Sequence, residues 1–346
     1  MTIGDLDYCL TRDGVIYLVK GYYHLADSII AYPVFWPDPN GDRYHPILGR
    51  YLKDVSDFNE RLFRIYPNYR SGETPRQTPR LPRSQIIHVW QPKPKMSQFL
   101  IKETTGLWRG LVDYLVQSVG IPQDNLGIFG SYLVDMHRNL AGQQIKDIDF
   151  VIYGISNLLK VKTALPELMR HFGYGPISAD HLNYHIQKFG NDFKPSVNSF
   201  KLTLSNKWSS IQIKPGLLCT LRFSYLDSEI PPDPIQAPIL HAIQIQGQVT
   251  DDIGANFMPR VFKIDSSDRE YTVVTYFWGF QSCVRRGDYV IITGNLHRDG
   301  RTISIDERSH GIKIIAPATR NSSKYYVHCR SYLNVGSRAG DSLVTT

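Results

Sequence analysis

No stretch of this sequence approaches the roughly 20 consecutive apolar residues that a membrane-crossing helix needs. The first ten residues, MTIGDLDYCL, lack the basic and apolar regions of a signal peptide. A cytoplasmic protein without a membrane partner is expected. Cysteine is scarce: Cys9, Cys219, Cys283 and Cys329 stand far apart, with no Cys-x-x-Cys and no histidine at ligand spacing. Neither a zinc motif nor a disulfide frame is indicated, and the four are predicted to be small core residues. No segment repeats, which excludes a solenoid. Disorder throughout is excluded by 42% hydrophobic and 12% aromatic residues, and 346 residues exceed what one core usually serves, so two or three domains are expected. The net charge of +7 favours a polyanionic partner.

Two β-rich runs, 15–22 and 28–35, read as a hairpin. A helix is predicted after them, with Val55, Phe58, Leu62 and Ile65 on one face before Pro67 ends it. Together they form an N-terminal αβ unit over 1–69. Residues 70–95 are rich in Pro and Arg and read as an extended basic connector carrying one strand, 86–90. From 96 to 228 the predicted elements alternate. They are a helix capped by Thr105 with Leu107, Leu111, Leu115 and Val119 on one face, a strand LGIFG, and a strand KDIDFVIYG. A helix over 157–172 broken at Pro166, a shorter helix near 179–189, and strands at 200–204, 210–213 and 217–225 follow. The run EIPPDPIQAP at 229–238 is a linker. Five strand-like runs over 239–316 predict a small barrel or sandwich, and 317–346 is a tail with little to bury.

The chemistry concentrates in GIFGSYLVDMHRNLAGQQIKDIDFVIYG. After the strand LGIFG, Tyr132, Leu133, Met136 and Leu140 fall at helical spacing, so Ser131 is predicted to open a helix. Unpaired N–H groups and the dipole there attract phosphate, Gly130 permits close approach, and the Ser131 hydroxyl offers one more bond. In KDIDFVIYG the period is two, which puts Asp147 and Asp149 on one strand face with Ile148, Phe150 and Ile152 on the other. Carboxylates about 7 Å apart on one face repel unless a cation sits between them, and oxygen donors so arranged suit Mg²⁺ or Mn²⁺ with substrate phosphates as further ligands.

Gly130-Ser131 followed by Asp147-x-Asp149 on a strand resembles the signature of the DNA polymerase beta-like nucleotidyltransferase superfamily. The wider order of parts is RDGVIYLVKGYYH…AYPVFWPDPNGDR, then GIFGS…DIDFVIYG, then a small C-terminal β domain. It is similar to the predicted nucleotidyltransferases of archaea and some bacteria. The resemblance implies an α+β chain whose nucleotidyltransferase fold is a mixed sheet with helices on one side. It implies metal ligands at Asp147 and Asp149, and NTP phosphates held by Gly130 and Ser131. It also implies a third catalytic acid on a later strand. Two departures stand out: 15 residues separate Ser131 from Asp147, and the later strand LLCTLRFSY holds no acid. Asp227 is taken as the candidate third catalytic residue, with Glu229 beside it; Arg222 and Lys214 are candidate phosphate neutralisers. His137 reads as a surface residue, and His24, His45 and His88 as structural.

The C-terminal unit, with Gly247, Gly294 and Gly300 near bends, looks like an OB-fold barrel. Such barrels bind single strands by stacking bases on aromatics beside basic residues. YFWGFQSCVRRGD supplies Tyr276, Phe277, Trp278 and Phe280 with Arg285 and Arg286, although alternation must bury about half of those rings. The sequence therefore predicts nucleotide transfer from an NTP to an acceptor hydroxyl on RNA or DNA, with Trp278, Arg285 and Arg286 contacting the nucleic acid. The alternatives are a non-catalytic nucleic-acid-binding protein on the same fold and a transferase that modifies a protein or small molecule.

Overall fold

The computed structural model describes residues 3–53, 80–137, 147–176, 178, 183, 208–214, 217–267, 269–277, 280–305 and 310–318. The predicted helical face Val55, Phe58, Leu62 and Ile65, all of the run 179–189 but residue 183, the strand 200–204, Leu140, Cys329 and most of the tail lie outside them, while residues 51–53, where the first predicted helix is expected to start, are strand. The architecture is mixed α+β with three sheets and three α-helices among the described residues. None of those helices is long and apolar enough to cross a membrane.

The N-terminal sheet contains β1 (Tyr8–Thr11), β2 (Ile16–Val19), β3 (Ser28–Pro37), β4 (Arg43–His45), β5 (Gly49–Lys53), β6 (Arg80–Pro82) and β7 (Ile86–Trp90), ordered β4-β5-β3-β2-β1-β7 with β6 on β3. The expected hairpin is the antiparallel β2–β3 pair. The strand 86–90 forms as read, but it pairs with β1, and β6 pairs with β3. Residues 80–90 are thus part of this sheet and not a connector. Leu81, almost fully buried, supplies the reason: it joins the apolar cluster on the sheet's outer face.

Helix α1 (Pro92–Lys102) begins inside the supposed connector, with Pro at its first position where no N–H is needed. It is followed by α2 (Leu107–Gln117), preceded by Gly106 and not capped by Thr105. The central sheet is β10-β11-β12-β9-β8, from β8 (Leu126–Phe129), β9 (Ile148–Tyr153), β10 (Gly175–Pro176), β11 (Ser210–Lys214) and β12 (Leu217–Ser224). Only β12 and β9 run parallel. Helix α3 (Ile155–Phe172) passes through Pro166 without the expected break. Its stripe Leu158, Val161, Leu165, Leu168 and Met169 is buried on both sides of the proline, so packing outweighs the roughly 3 kcal/mol a mid-helix proline costs. All three helices pack on the face holding Ile148, Phe150 and Ile152. The opposite face, through Phe129 and Val151, packs on Tyr8, Leu10 and Phe35 of the N-terminal sheet.

The third sheet is β13 (Ile239–Asp251), β14 (Arg260–Asp265), β15 (Glu270–Thr275), β16 (Tyr289–His297), β17 (Thr302–Ile305) and β18 (Gly311–Ala316), the last expected strand run being two. It curls, because β13 pairs with both β14 and β16 while β15 and β17 pair in parallel. The supposed linker before it is pinned: the Tyr23 hydroxyl donates to Pro231 O at 2.7 Å, and Ile235 is buried. Cys9, Cys219 and Cys283 are buried, as their sequence setting predicts.

Candidate functional site

Strand β8 delivers the chain to Gly130 directly beside Asp149, because Phe129 is the cross-strand partner of Asp149. Gly130 has φ of +69°, and a Cβ there would lie 2.6 Å from Asp149 Oδ2. Conformation and contact both favour glycine at this position, since a Cβ would have to displace the Asp149 carboxylate. Ser131, half-buried, follows in a single 3₁₀ turn, Gly130–Tyr132. The predicted helix from Ser131 ends there. Asp135 adopts φ of +53°, and Met136 N donates to Ser131 O at 2.8 Å while Asp135 N donates to Tyr132 O at 3.3 Å, which closes the turn as a Schellman motif. Lys95 on α1 holds the Asp135 carboxylate at 2.6 Å. The consecutive residues Tyr132, Leu133 and Val134 are all buried, which one stripe of a longer surface helix cannot achieve. A one-turn element carries no macrodipole of consequence, so the helix-dipole attraction expected at Ser131 is lost.

Asp147 and Asp149 share a face as predicted, with Ile148 and Phe150 fully buried on the other side. Asp147 is exposed and its Oδ1 accepts from Leu218 N at 3.3 Å. Asp149 is half-buried and its carboxylate accepts no hydrogen bond among the described residues. Farther along the same face Val151 is fully buried under the N-terminal sheet, so Asp149 marks the border between covered and open sheet. Two carboxylates in this setting fit a hard divalent cation, which takes one or two carboxylates and fills its shell with water and phosphate oxygens. No group of three acidic, His or Cys side chains that could hold a metal occurs among the described residues.

The third acid is not where the resemblance puts it. Thr220 stands opposite Asp149 on β12, hydrogen-bonded to Ser210 at 3.3 Å. Asp227 is not brought to Asp147 and Asp149. Ser224 pairs with Tyr153, so at roughly 3.3 Å per residue β12 is already about 13 Å beyond the level of Asp149 before Asp227, itself exposed, is reached. Glu229 is engaged at the start of α3, where its carboxylate accepts the first free N–H of that helix, from Ile155, at 3.0 Å.

A buried charge cluster that the sequence did not reveal lies against the same region. Arg222, on the Asp149 face of β12, has its guanidinium 4.9 Å from the centre of the Phe129 ring. Its Nη1 donates to Gln281 Oε1 at 3.2 Å, and Arg260 Nη2 donates to the same atom at 3.4 Å. Lys20 and Asp5 complete the group, each buried. Burial pushes the Asp5 carboxyl up to about 6, against the Gly21 N–H and the nearby Lys20, Arg260 and Arg222, which hold it down. Arg222 alone stood out in the sequence; nothing local marks Asp5 or Lys20, which only the packing of three units brings together. Lys214 ends β11 at the far side of β12.

Phe280 is buried in the core of the curled sheet with Phe277 half-buried against it, Tyr276 is buried in a separate cluster with Ile30 and Met258, and Trp278 lies outside the described residues. The rings that can be placed are therefore spent on packing, two in the sheet's core and Tyr276 against the N-terminal sheet. Arg285 and Arg286 sit on the turn before β16, half-buried and exposed respectively. His137 is half-buried and stacks on Tyr132 at 4.2 Å. His24 and His45 accept backbone N–H groups and His88 packs edge-on against Trp90, which are structural roles.

No family model and no curated protein matches the chain. Among solved structures, the crystal structure of the ZRD-deleted mutant of TiaS in complex with agmatine is similar at 21% identity with a TM-score of 0.20, over 24% of this chain and 23% of that one. The chain thus spans about a quarter of the TiaS chain, a likeness too slight to carry an argument about fold or activity.

Proposed function

We propose that the chain is a metal-dependent nucleotidyltransferase of the DNA polymerase beta-like superfamily, joining a nucleotide from an NTP to a hydroxyl of RNA or DNA. The carrying observation is the Gly130-Ser131 turn set against an Asp149 carboxylate that accepts no hydrogen bond among the described residues. The mixed central sheet with all three helices on one face supports the fold reading. In the curled sheet, the circuit β13-β14-β15-β17-β16-β13 with a parallel β15–β17 pair supports the OB-like reading of residues 239–316. Asp147 and Asp149 would hold Mg²⁺ or Mn²⁺, and Gly130 with Ser131 would bind the phosphates through backbone N–H groups and a hydroxyl. When bound, the metal offsets charge developing on the α-phosphoryl group. The acceptor oxygen bonds to the α-phosphorus, the bond to the bridging oxygen breaks, pyrophosphate leaves, and the hydroxyl proton passes to solvent.

Thr220 in place of an acid favours a second reading, a nucleic-acid-binding protein that holds nucleotide without turnover. One experiment separates the two. The full chain is incubated with each labelled NTP, Mg²⁺ and total RNA, following pyrophosphate release, beside calorimetry of Mg²⁺-NTP binding. Transfer that falls at least about 100-fold in Asp149→Asn, with unfolding unchanged, is expected of the enzyme. Binding without turnover supports the second reading, and neither in the wild type removes the nucleotide site.

A further inference from the structure

The place where the three sheets meet holds more buried positive than negative charge. Lys20, just past β2, is 6% exposed and Arg260, opening β14, is 4% exposed; Arg222 reaches the same point from β12 and is half-buried. Asp5, 3% exposed, is the carboxylate facing all three, yet it accepts from Gly21 N at 2.8 Å and pairs with none of the cations within 4 Å. The two guanidiniums share one neutral oxygen, Gln281 Oε1, and Arg260 Nη1 donates besides to Phe257 O at 2.8 Å. Buried Nε atoms of both arginines lack a hydrogen-bond partner, and the contact of Lys20 Nζ is with the Tyr32 ring, at 5.9 Å. Buried charges are ordinarily paired, and guanidiniums ordinarily spend their N–H groups on carboxylate or phosphate oxygens. Three cations gathered around one carboxylate, with donors left over, are arranged for an anion that is not part of the chain.

We propose that Lys20, Arg222 and Arg260 form a binding site for a phosphate group, entered from the Arg222 side. A phosphate anion offsets the excess positive charge, its oxygens taking N–H donors of the half-buried Arg222 and, once the junction opens to admit it, the buried Nε–H donors and Lys20 Nζ. Burial, with repulsion from Arg222 and Arg260, pushes the Lys20 ammonium down to about 7, and burial brings Arg260 to about 9; both are responses an arriving anion reverses. The site needs no metal and neither Asp147 nor Asp149, so it stands independently of the transferase reading.

The test uses the full chain in EDTA, with orthophosphate and tripolyphosphate titrated by calorimetry and in thermal unfolding against sodium chloride of equal ionic strength. Saturable one-to-one binding with a rise in Tm is expected, since a ligand bound only by the folded chain stabilises it. Arg222→Gln, a change at the border of the junction, should weaken binding at least about tenfold, as loss of a charge-assisted donor does, and Asp149→Asn should not weaken it. Lys20→Met should act like Arg222→Gln where it folds. A stronger response to tripolyphosphate assigns the site to a polyphosphate chain, and an equal one to a single phosphate. No response beyond the chloride control, or a folded Arg222→Gln that binds as the wild type does, overturns the proposal.

Discussion

Gly130 answers two demands at once, a left-handed backbone and a carboxylate where a side chain would begin. Gly130→Ala adds a methyl 2.6 Å from Asp149 Oδ2 in a conformation that costs an L-residue about 1–2 kcal/mol. We expect destabilisation of that order by urea unfolding, and a shifted Asp149 carboxylate that lowers Mg²⁺-NTP affinity. Unchanged stability would show that the turn tolerates Cβ. Asp7 makes a contrasting case. Burial pushes its carboxyl up from 3.8 to about 7, opposed by bonds from Gly4 N and Gln91 and reinforced by Asp5. Between those values the folded chain keeps a proton that the unfolded chain releases, so stability falls as pH rises through that window and the full penalty is present above it. Asp7→Asn cannot ionise. Its stability relative to the wild type should therefore climb between pH 4 and 7, by at most about 1.4 kcal/mol per pH unit, leaving the variant the more stable protein at pH 8. Chemical denaturation at pH 5 and pH 8 decides it; an equal difference at both would mean that Asp7 is not buried as a charge.

At the scale of elements, α3 retains Pro166 because its buried stripe continues past it. Restoring the lost backbone hydrogen bond with Pro166→Ala should raise stability by roughly 1–3 kcal/mol, provided the gain in unfolded-chain entropy does not cancel it. A lower Tm would mean that the proline ring itself is needed for packing. The strands Ile86–Trp90, Leu126–Phe129 and Ile148–Tyr153 were legible in the sequence because alternation or a short apolar run is a local signal. Where they pair is not local, and so residues 80–85 read as a linker although Arg80–Pro82 pairs in the sheet. The helix expected from Ser131 failed for a similar reason: its apolar spacing fits a helix, but burial of Tyr132, Leu133 and Val134 between two clusters and the Lys95–Asp135 pair stop it after one turn. Asp147 and Asp149 could be read from period two alone. The remote partner of Asp149 could not, since only the register of β12 shows Thr220 there and carries Asp227 away.

At the scale of the whole molecule the three sheets interlock. Tyr22 bonds Ser224 Oγ at 2.6 Å and Tyr225 N at 2.8 Å, and Tyr225 stacks on Phe257 at 4.0 Å, so N-terminal, central and C-terminal parts meet in one chain of contacts. Removing residues 239–346 would strip Phe257, Arg260 and Gln281 from that junction and would report on folding as much as on ligand binding. Point changes on the surface are the sharper probe of the nucleic-acid reading. On that proposed reading, the net charge of +7 and the exposed Arg286 with its neighbour Arg285 on the turn before β16 would make phosphate contacts whose strength comes from released counterions. For a single-stranded oligonucleotide, affinity should fall linearly with salt on logarithmic axes. Arg285→Ala with Arg286→Ala should make that slope shallower by about 2, roughly one for each phosphate that the arginines no longer neutralise. The turn itself should survive, because it is the Arg285 backbone N–H that donates to Asp288 Oδ2 at 2.8 Å. Fluorescence anisotropy over a salt series reads the slope directly. A double variant with the wild-type slope and affinity would remove this turn from the nucleic-acid surface and leave the positive charge of the chain to act elsewhere.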